Sequence, residues 1–202
     1  MNVSSLKQQL LEILKRKSVH RGKFTLASGG QSDLYIDARL TTHDPQGAIL
    51  VGRVGWELVK HVAYELGVHI DSIGGLTMGA DPVALSIGIS AHLEDSSSGL
   101  QTFVVRKSAK THGRQKLIEG NFASGDSVVI TEDVITTGGS TLQAIEAVEA
   151  AGGKIAFVLV LVDRGEGGRE NIEKHGHKVV PIFTRADLIG TDADRRSHSA
   201  VA

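Results

Sequence analysis

The sequence predicts an α/β domain in which a central, mostly parallel sheet is flanked by helices, and three observations carry that prediction. Apolar segments of strand length alternate with helix-length segments from Ile70 to Phe183. Two of those strands, Val128–Thr131 and Ile155–Val162, are apolar or β-branched at almost every position, the composition of strands covered on both faces. The chain has 202 residues, 41% of them hydrophobic, which suits one domain with a full core spanning residues 1–202.

Taken in order, Leu6, Leu10, Ile13 and Leu14 recur at helical spacing behind Ser4 and Ser5, which can cap the start. Lys23–Leu40 reads as a short apolar segment, a glycine turn and a second extended piece. Asp44 and Pro45 open the next helix, as cap and first-turn proline. That helix carries Ile49, Val51, Leu58, Val59, Val62 and Leu66 before Gly67 ends it. Ile70–Leu76 follows as a strand, Pro82–Leu93 as a helix, Asp95–Gln101 as a surface turn and Thr102–Val105 as a strand. Beyond Val128–Thr131 come a helix over Ser140–Ala151, the strand Ile155–Val162, a short helix over Arg169–His175 and the strand Val179–Phe183. The polar tail Asp192–Ala202 is expected to fray. Lys107–Gly120 breaks the alternation. It is long, basic and poor in apolar residues, and long connections of this kind are commonly functional loops.

Composition narrows the function. A formal net charge of −1 supplies no large positive field, which argues against a dedicated nucleic-acid partner. With no cysteine, the chain has no disulfide, no thiolate nucleophile and no cysteine-ligated metal. Its first residues form an amphipathic pattern broken by charges, and no apolar run is long enough to span a bilayer, so neither a signal peptide nor a membrane contact is expected. The expected setting is the cytoplasm.

The chemistry concentrates in Val128–Thr141, VVITEDVITTGGST. A buried strand delivers Glu132 and Asp133 at its carboxyl end, the edge where open α/β sheets bind ligands. Thr136–Thr141 is then a run of small hydroxyl and glycine residues leading into a helix. Such a loop can wrap backbone N–H groups around a phosphate at the positive end of the helix. Two carboxylates would repel that phosphate, but they can accept hydrogen bonds from the hydroxyls of a ribose that carries it. No lysine follows the glycines, so this is not a Walker loop.

This arrangement resembles the fingerprint of the type I phosphoribosyltransferases, which bind 5-phosphoribosyl 1-pyrophosphate (PRPP). The resemblance implies that Glu132 and Asp133 hold the ribose hydroxyls. It also implies that Val134, Ile135, Thr136, Thr137, Gly138, Gly139 and Ser140 surround the 5-phosphate. Further segments resemble the orotate phosphoribosyltransferases of that family, in family order, from about Lys7 to Leu188. Phe24–Arg39 is similar to their amino-terminal hood, about residues 1–40 here, which implies base contacts from Tyr35 and Ile36. Val105–Gly113 is similar to their mobile catalytic loop, about residues 107–120 here. That likeness makes Arg106, Lys107, Lys110 and His112 PRPP ligands, with Arg106, Lys110 and His112 as the catalytic candidates. Leu161–Gly168 is similar to the strand end whose arginine, here Arg164, meets the carboxylate of orotate, with Thr136 also at the base. Gly74–Pro82 resembles the pyrophosphate loop, which implies contacts from Thr77, Met78 and Gly79.

The resemblance thus implies a type I phosphoribosyltransferase fold. The implied reaction joins orotate to PRPP, giving orotidine 5-phosphate and pyrophosphate, a step of pyrimidine (UMP) biosynthesis. It further implies Mg²⁺ carried by PRPP and water, with Asp133 as the one candidate protein ligand, and a homodimer with shared sites. Read from the residues alone, the charged run could be a solvated face. A basic lid, however, would neutralise departing pyrophosphate and exclude water, with Lys110 and His112 as candidate proton donors. A purine base in place of orotate, or a PRPP-sensing regulator without catalysis, remain the alternatives. The chain also departs from the family pattern, since Ala27 and Gly79 stand where many members carry lysine. Lys23, Arg53 or another cation would have to substitute.

Overall fold

The computed structural model describes residues 2–25, 31–108 and 117–189. Helix α1 (Val3–Lys17) buries Leu6, Leu10, Ile13 and Leu14, the four residues whose spacing marks the helix. Its cap is Asn2 rather than either serine. Asn2 Oδ1 accepts from Ser4 N–H at 3.1 Å, and the extended backbone at Asn2 lets it do so, while Ser4 and Ser5 already lie inside the helix. Strands β1 (Val19–Thr25) and β2 (Gln31–Ile36) then pair antiparallel as a separate two-stranded sheet, in the segment expected to form the hood. A one-turn helix not foreseen from the sequence, α2 (Arg39–Thr42), leads into α3 (Pro45–Leu66). Asp44 caps α3 through Gly47 N–H, and Gly67 closes it in left-handed backbone at φ 65°. The buried stripe of α3 includes Leu50, Val51, Val54, Val59 and Val62, whereas Ile49 and Leu66 face outward, off that arc.

The main sheet has six strands in the order β5-β4-β3-β6-β7-β8. Strands β3 (Ser72–Leu76), β4 (Gln101–Val105), β6 (Ser127–Ile135), β7 (Lys154–Asp163) and β8 (Val179–Thr184) run parallel. The short β5 (Ile118–Gly120) is antiparallel on the β4 edge. It corrects the expectation of a continuous loop over Lys107–Gly120, because the last residues of that run pair with Phe103–Val105. Alternate residues of β7 point to opposite cores. Phe157, Leu159 and Leu161 pack beneath α1, α3 and α4 (Ala80–Glu94), whereas Val158 and Val160 pack beneath α5 (Gly139–Ala150) and α6 (Gly168–Lys174). A final turn of helix, α7 (Arg185–Ile189), places Leu188 against the α1 side. No helix among the described residues is long and apolar enough to cross a membrane. The tail expected to fray lies outside the described residues.

Candidate active site

Strand β6 extends beyond the residues that identify it as a strand. It was expected to stop at Thr131, yet it continues to Ile135 because β7 runs on beside it, Val134 pairing with Val162 and Ile135 with Asp163. The two acids therefore lie within a sheet strand rather than past its end, which fixes their backbone. Glu132 is 7% exposed, and its Oε2 accepts from Thr141 Oγ1 at 3.3 Å. Asp133 Oδ1 accepts from the N–H of Val134 at 2.8 Å.

Burial, reinforced by the neighbouring Asp133 charge, pushes the Glu132 carboxyl up to about 8. Asp133 is also raised, chiefly by burial, but the Val134 N–H and the charge of Arg39 pull it back. We place the shared proton on Glu132, the more deeply buried partner. Two acids held in this way favour anything that delivers hydroxyl donors or a cation.

Residues Glu132 to Thr141 line one continuous pocket, so Val134, Ile135, Thr136, Thr137, Gly138, Gly139 and Ser140 are brought together as expected. Gly138 has φ 82°, and a Cβ there would lie 2.9 Å from the carbonyl of Gly168. Only glycine lets the loop pass this close to the start of α6 in that conformation. Asn171 Nδ2 donates to the carbonyl of Thr137 at 3.0 Å, holding the same loop from α6.

A second pocket adjoins the first and shares Glu132, Asp133, Val134 and Ser140 with it. Its other walls are Tyr35 and Ile36 of the hood, Thr77, Met78 and Gly79 before α4, and Lys107. It also includes Asp37 and Arg39, which the sequence reading did not single out. Arg39 donates from Nε to Asp37 Oδ1 at 2.8 Å and from Nη2 to Oδ2 at 3.0 Å. The available signal was their place at the end of the segment Phe24–Arg39, where Asp37 and Arg39 also suit an ordinary surface pair.

Gly79 is explained by packing. A Cβ at this position would collide with the carboxylate of Asp133, so the glycine makes the seat that this acid occupies. Thr77 Oγ1 is engaged beside it, donating to Asp81 Oδ2 at 2.7 Å.

Other expected residues lie elsewhere. Arg106 lines neither pocket; its Nε donates to the carbonyl of Ser108 at 3.3 Å and its Nη1 lies 3.6 Å from Glu119 Oε1, because β5 draws it sideways. Arg53, a possible substitute cation, lines a separate cleft between α1, α3 and α4 with Trp56 and Glu94. Arg164 is 6% exposed and touches neither pocket wall; its Nη2 donates to the carbonyl of Leu34 at 3.3 Å and pairs with Glu166 Oε1 at 2.7 Å. Lys110, His112 and Ala27 lie outside the described residues, as does the side chain of Lys23. Among the described residues no group of three or more histidines and acids could hold a metal ion.

No family model matches the chain. Relatives of known name do. The chain is 41% identical over 179 residues to the orotate phosphoribosyltransferase of Rhodopirellula baltica, covering 89% of this chain and 92% of that protein. It is 39% identical over 186 residues to the one from Aquifex aeolicus, covering 91% and 97%. Its fold matches the crystal structure of Mycobacterium tuberculosis orotate phosphoribosyltransferase in complex with PRPP with a TM-score of 0.72, at 34% identity, covering 91% of this chain and 92% of that one. An adenine phosphoribosyltransferase from Saccharomyces cerevisiae, 22% identical with a TM-score of 0.57, shares the fold alone. With the α/β sheet of the type I phosphoribosyltransferases and this identity along most of its length, the chain belongs to the orotate phosphoribosyltransferase family.

Proposed function

We propose that this protein transfers the 5-phosphoribosyl group of PRPP to orotate, giving orotidine 5-phosphate and pyrophosphate in UMP biosynthesis. The observation that carries this is the pair of adjoining pockets sharing Glu132 and Asp133. One offers a hydroxyl-rich cradle at the start of α5, and the other a cavity roofed by the hood and edged by Lys107. PRPP has this shape, with a phosphate at one end of a ribose and a pyrophosphate at the other.

In the bound state Glu132 and Asp133 accept hydrogen bonds from the ribose hydroxyls and Thr136–Ser140 enclose the 5-phosphate. Thr77, Met78 and Gly79 present their backbone to the pyrophosphate, and Lys107 supplies charge from the opposite wall. Tyr35, Ile36, Thr136 and Arg164 receive the base. Lys110, His112 and Arg106 close over the leaving group, neutralising the charge that develops there and excluding water. For Arg106 this requires leaving Glu119.

The two raised carboxyls suit a divalent cation, and Asp133 is the one side chain we assign to it, with PRPP and water as its other ligands. When bound, Mg²⁺ neutralises pyrophosphate and ribose oxygens. We place the protein in the cytoplasm, as one domain, on the family reading alone. Leu85, Ile89 and Leu93 recur every four residues on α4 and are each at least half exposed, which supports a homodimer closing over this apolar face.

The test is direct. Purified protein mixed with PRPP, Mg²⁺ and orotate should consume orotate, followed by its absorbance, and leave hypoxanthine and uracil untouched. Consumption of hypoxanthine would move the protein to the purine class. PRPP binding without turnover of any base would make it a sensor.

A further inference from the structure

Arg164 follows the carboxyl end of β7 as a guanidinium almost sealed from solvent, and the chain then turns through Gly165 (φ 67°), Glu166 and Gly167 (φ 87°). At the tip of that turn the side chain of Glu166 folds back. Its Oε1 lies 2.7 Å from Arg164 Nη2, while its side chain keeps 27% of its surface in water. A buried guanidinium is costly without an acceptor, and its planar fork is shaped for a carboxylate. The two glycines around Glu166 lack Cβ atoms and occupy left-handed backbone, so the tip can be re-aimed with little steric resistance.

We propose that Glu166 is a placeholder for the substrate carboxylate. It holds on Arg164 the place that the carboxylate of orotate takes, and returns to water when the base arrives. This inference rests on the base reading given above. The exchange keeps charge constant, since one carboxylate leaves the guanidinium as another lands. Glu166 is already partly hydrated, so releasing it costs little, and Arg164 is not left without an acceptor between turnovers. A base without a carboxylate has nothing to exchange for the pair, which stays closed.

The measurement is the orotate KM at saturating PRPP, with the affinity for orotidine 5-phosphate taken by calorimetry. Glu166→Gln keeps the shape but removes the charge. It should lower the orotate KM and tighten orotidine 5-phosphate about two- to fivefold, the range for releasing one partly exposed ion pair, with the PRPP KM unchanged. Glu166→Ala should move the same way. A merely structural role predicts the opposite sign, so an orotate KM that is unchanged or raised in both variants overturns the placeholder. Arg164→Ala is run beside them. If orotate affinity survives that change, the base reading itself falls. If it is lost while the Glu166 variants fail to tighten binding, only the placeholder falls.

Discussion

The proposed phosphate end of the site comes from ten consecutive residues, Glu132 to Thr141, on one strand–loop–helix unit. The proposed base end draws on pieces far apart in the chain: Tyr35 and Ile36 of β2 line the second pocket, and Arg164 after β7 lies outside its walls, joined to β2 through the carbonyl of Leu34 and paired with Glu166. The difference is one of rigidity. Pairing of β6 with β7 as far as Ile135, the start of α5 and the Asn171 clamp hold the loop that follows β6. The proposed base end depends on how the β1–β2 hairpin lies against the main sheet, and Arg164 is already engaged by Leu34 and Glu166. A substitution at the first end should therefore act locally and strongly, and one at the second should separate base binding from PRPP binding.

The largest effect is expected at the first end. Asp133→Asn removes a charge-assisted acceptor for a ribose hydroxyl, and kcat/KM for PRPP should fall about 100-fold. Steady-state kinetics check this, and a variant within twofold of the parent would break the ribose assignment. Arg164→Ala should raise the orotate KM roughly 30-fold while leaving the PRPP KM unchanged, the range for truncating one partner of a buried charge pair. If both KM values rise together, the two ends are not separable as drawn.

Gly79→Lys sharpens the comparison from a third side, because it restores the lysine that many family members carry. Here the new Cβ must displace the Asp133 carboxylate from the Val134 N–H, so the PRPP KM should rise about tenfold instead of falling. Tighter PRPP binding would show that Asp133 can relocate freely.

The smallest effect is in pH dependence. Glu132 has an ordinary value of 4.5 in the unfolded chain and about 8 when folded, so the folded state keeps the proton longer. The stability this contributes is complete below about pH 4.5 and is lost as pH rises through about 8. Glu132→Gln is spared that loss. Its Tm relative to the parent protein, without ligand, should climb by a few degrees between about pH 6 and pH 9 in differential scanning. A constant difference would mean Glu132 is ionised throughout.

The same contrast decides what the sequence made legible. The strand–loop–helix unit and its pocket could be read because one short stretch holds the strand, acids, hydroxyls, glycines and helix start. The parallel sheet was equally plain from the near-continuous apolar runs of β6 and β7. The extent of β6 was not, because Glu132 and Asp133 look like a strand end, and only the partner strand keeps them in register. Short β5 was hidden inside a basic run, and its pairing diverts Arg106 to Glu119. Asn2 outcompeted two serines as the first cap by one residue of backbone geometry. Arg39 and Glu166 stayed silent because an Asp–Arg pair and a Glu between glycines are ordinary on any surface. Their place at the site exists only after the hood and the sheet have met.

One consequence of β5 concerns distance. The main-chain N–H of Arg106 donates to the carbonyl of Leu117 at 2.8 Å, so the described residues flanking 109–116 lie side by side. His112 is four residues from Ser108, so whatever path the chain follows, its Cα can stand no more than about 14 Å from that of Ser108. Any second copy whose site receives this histidine must bring that site within this radius of Ser108, plus one side chain. An assembly that keeps a second copy's site farther from Ser108 than this cannot receive the histidine there.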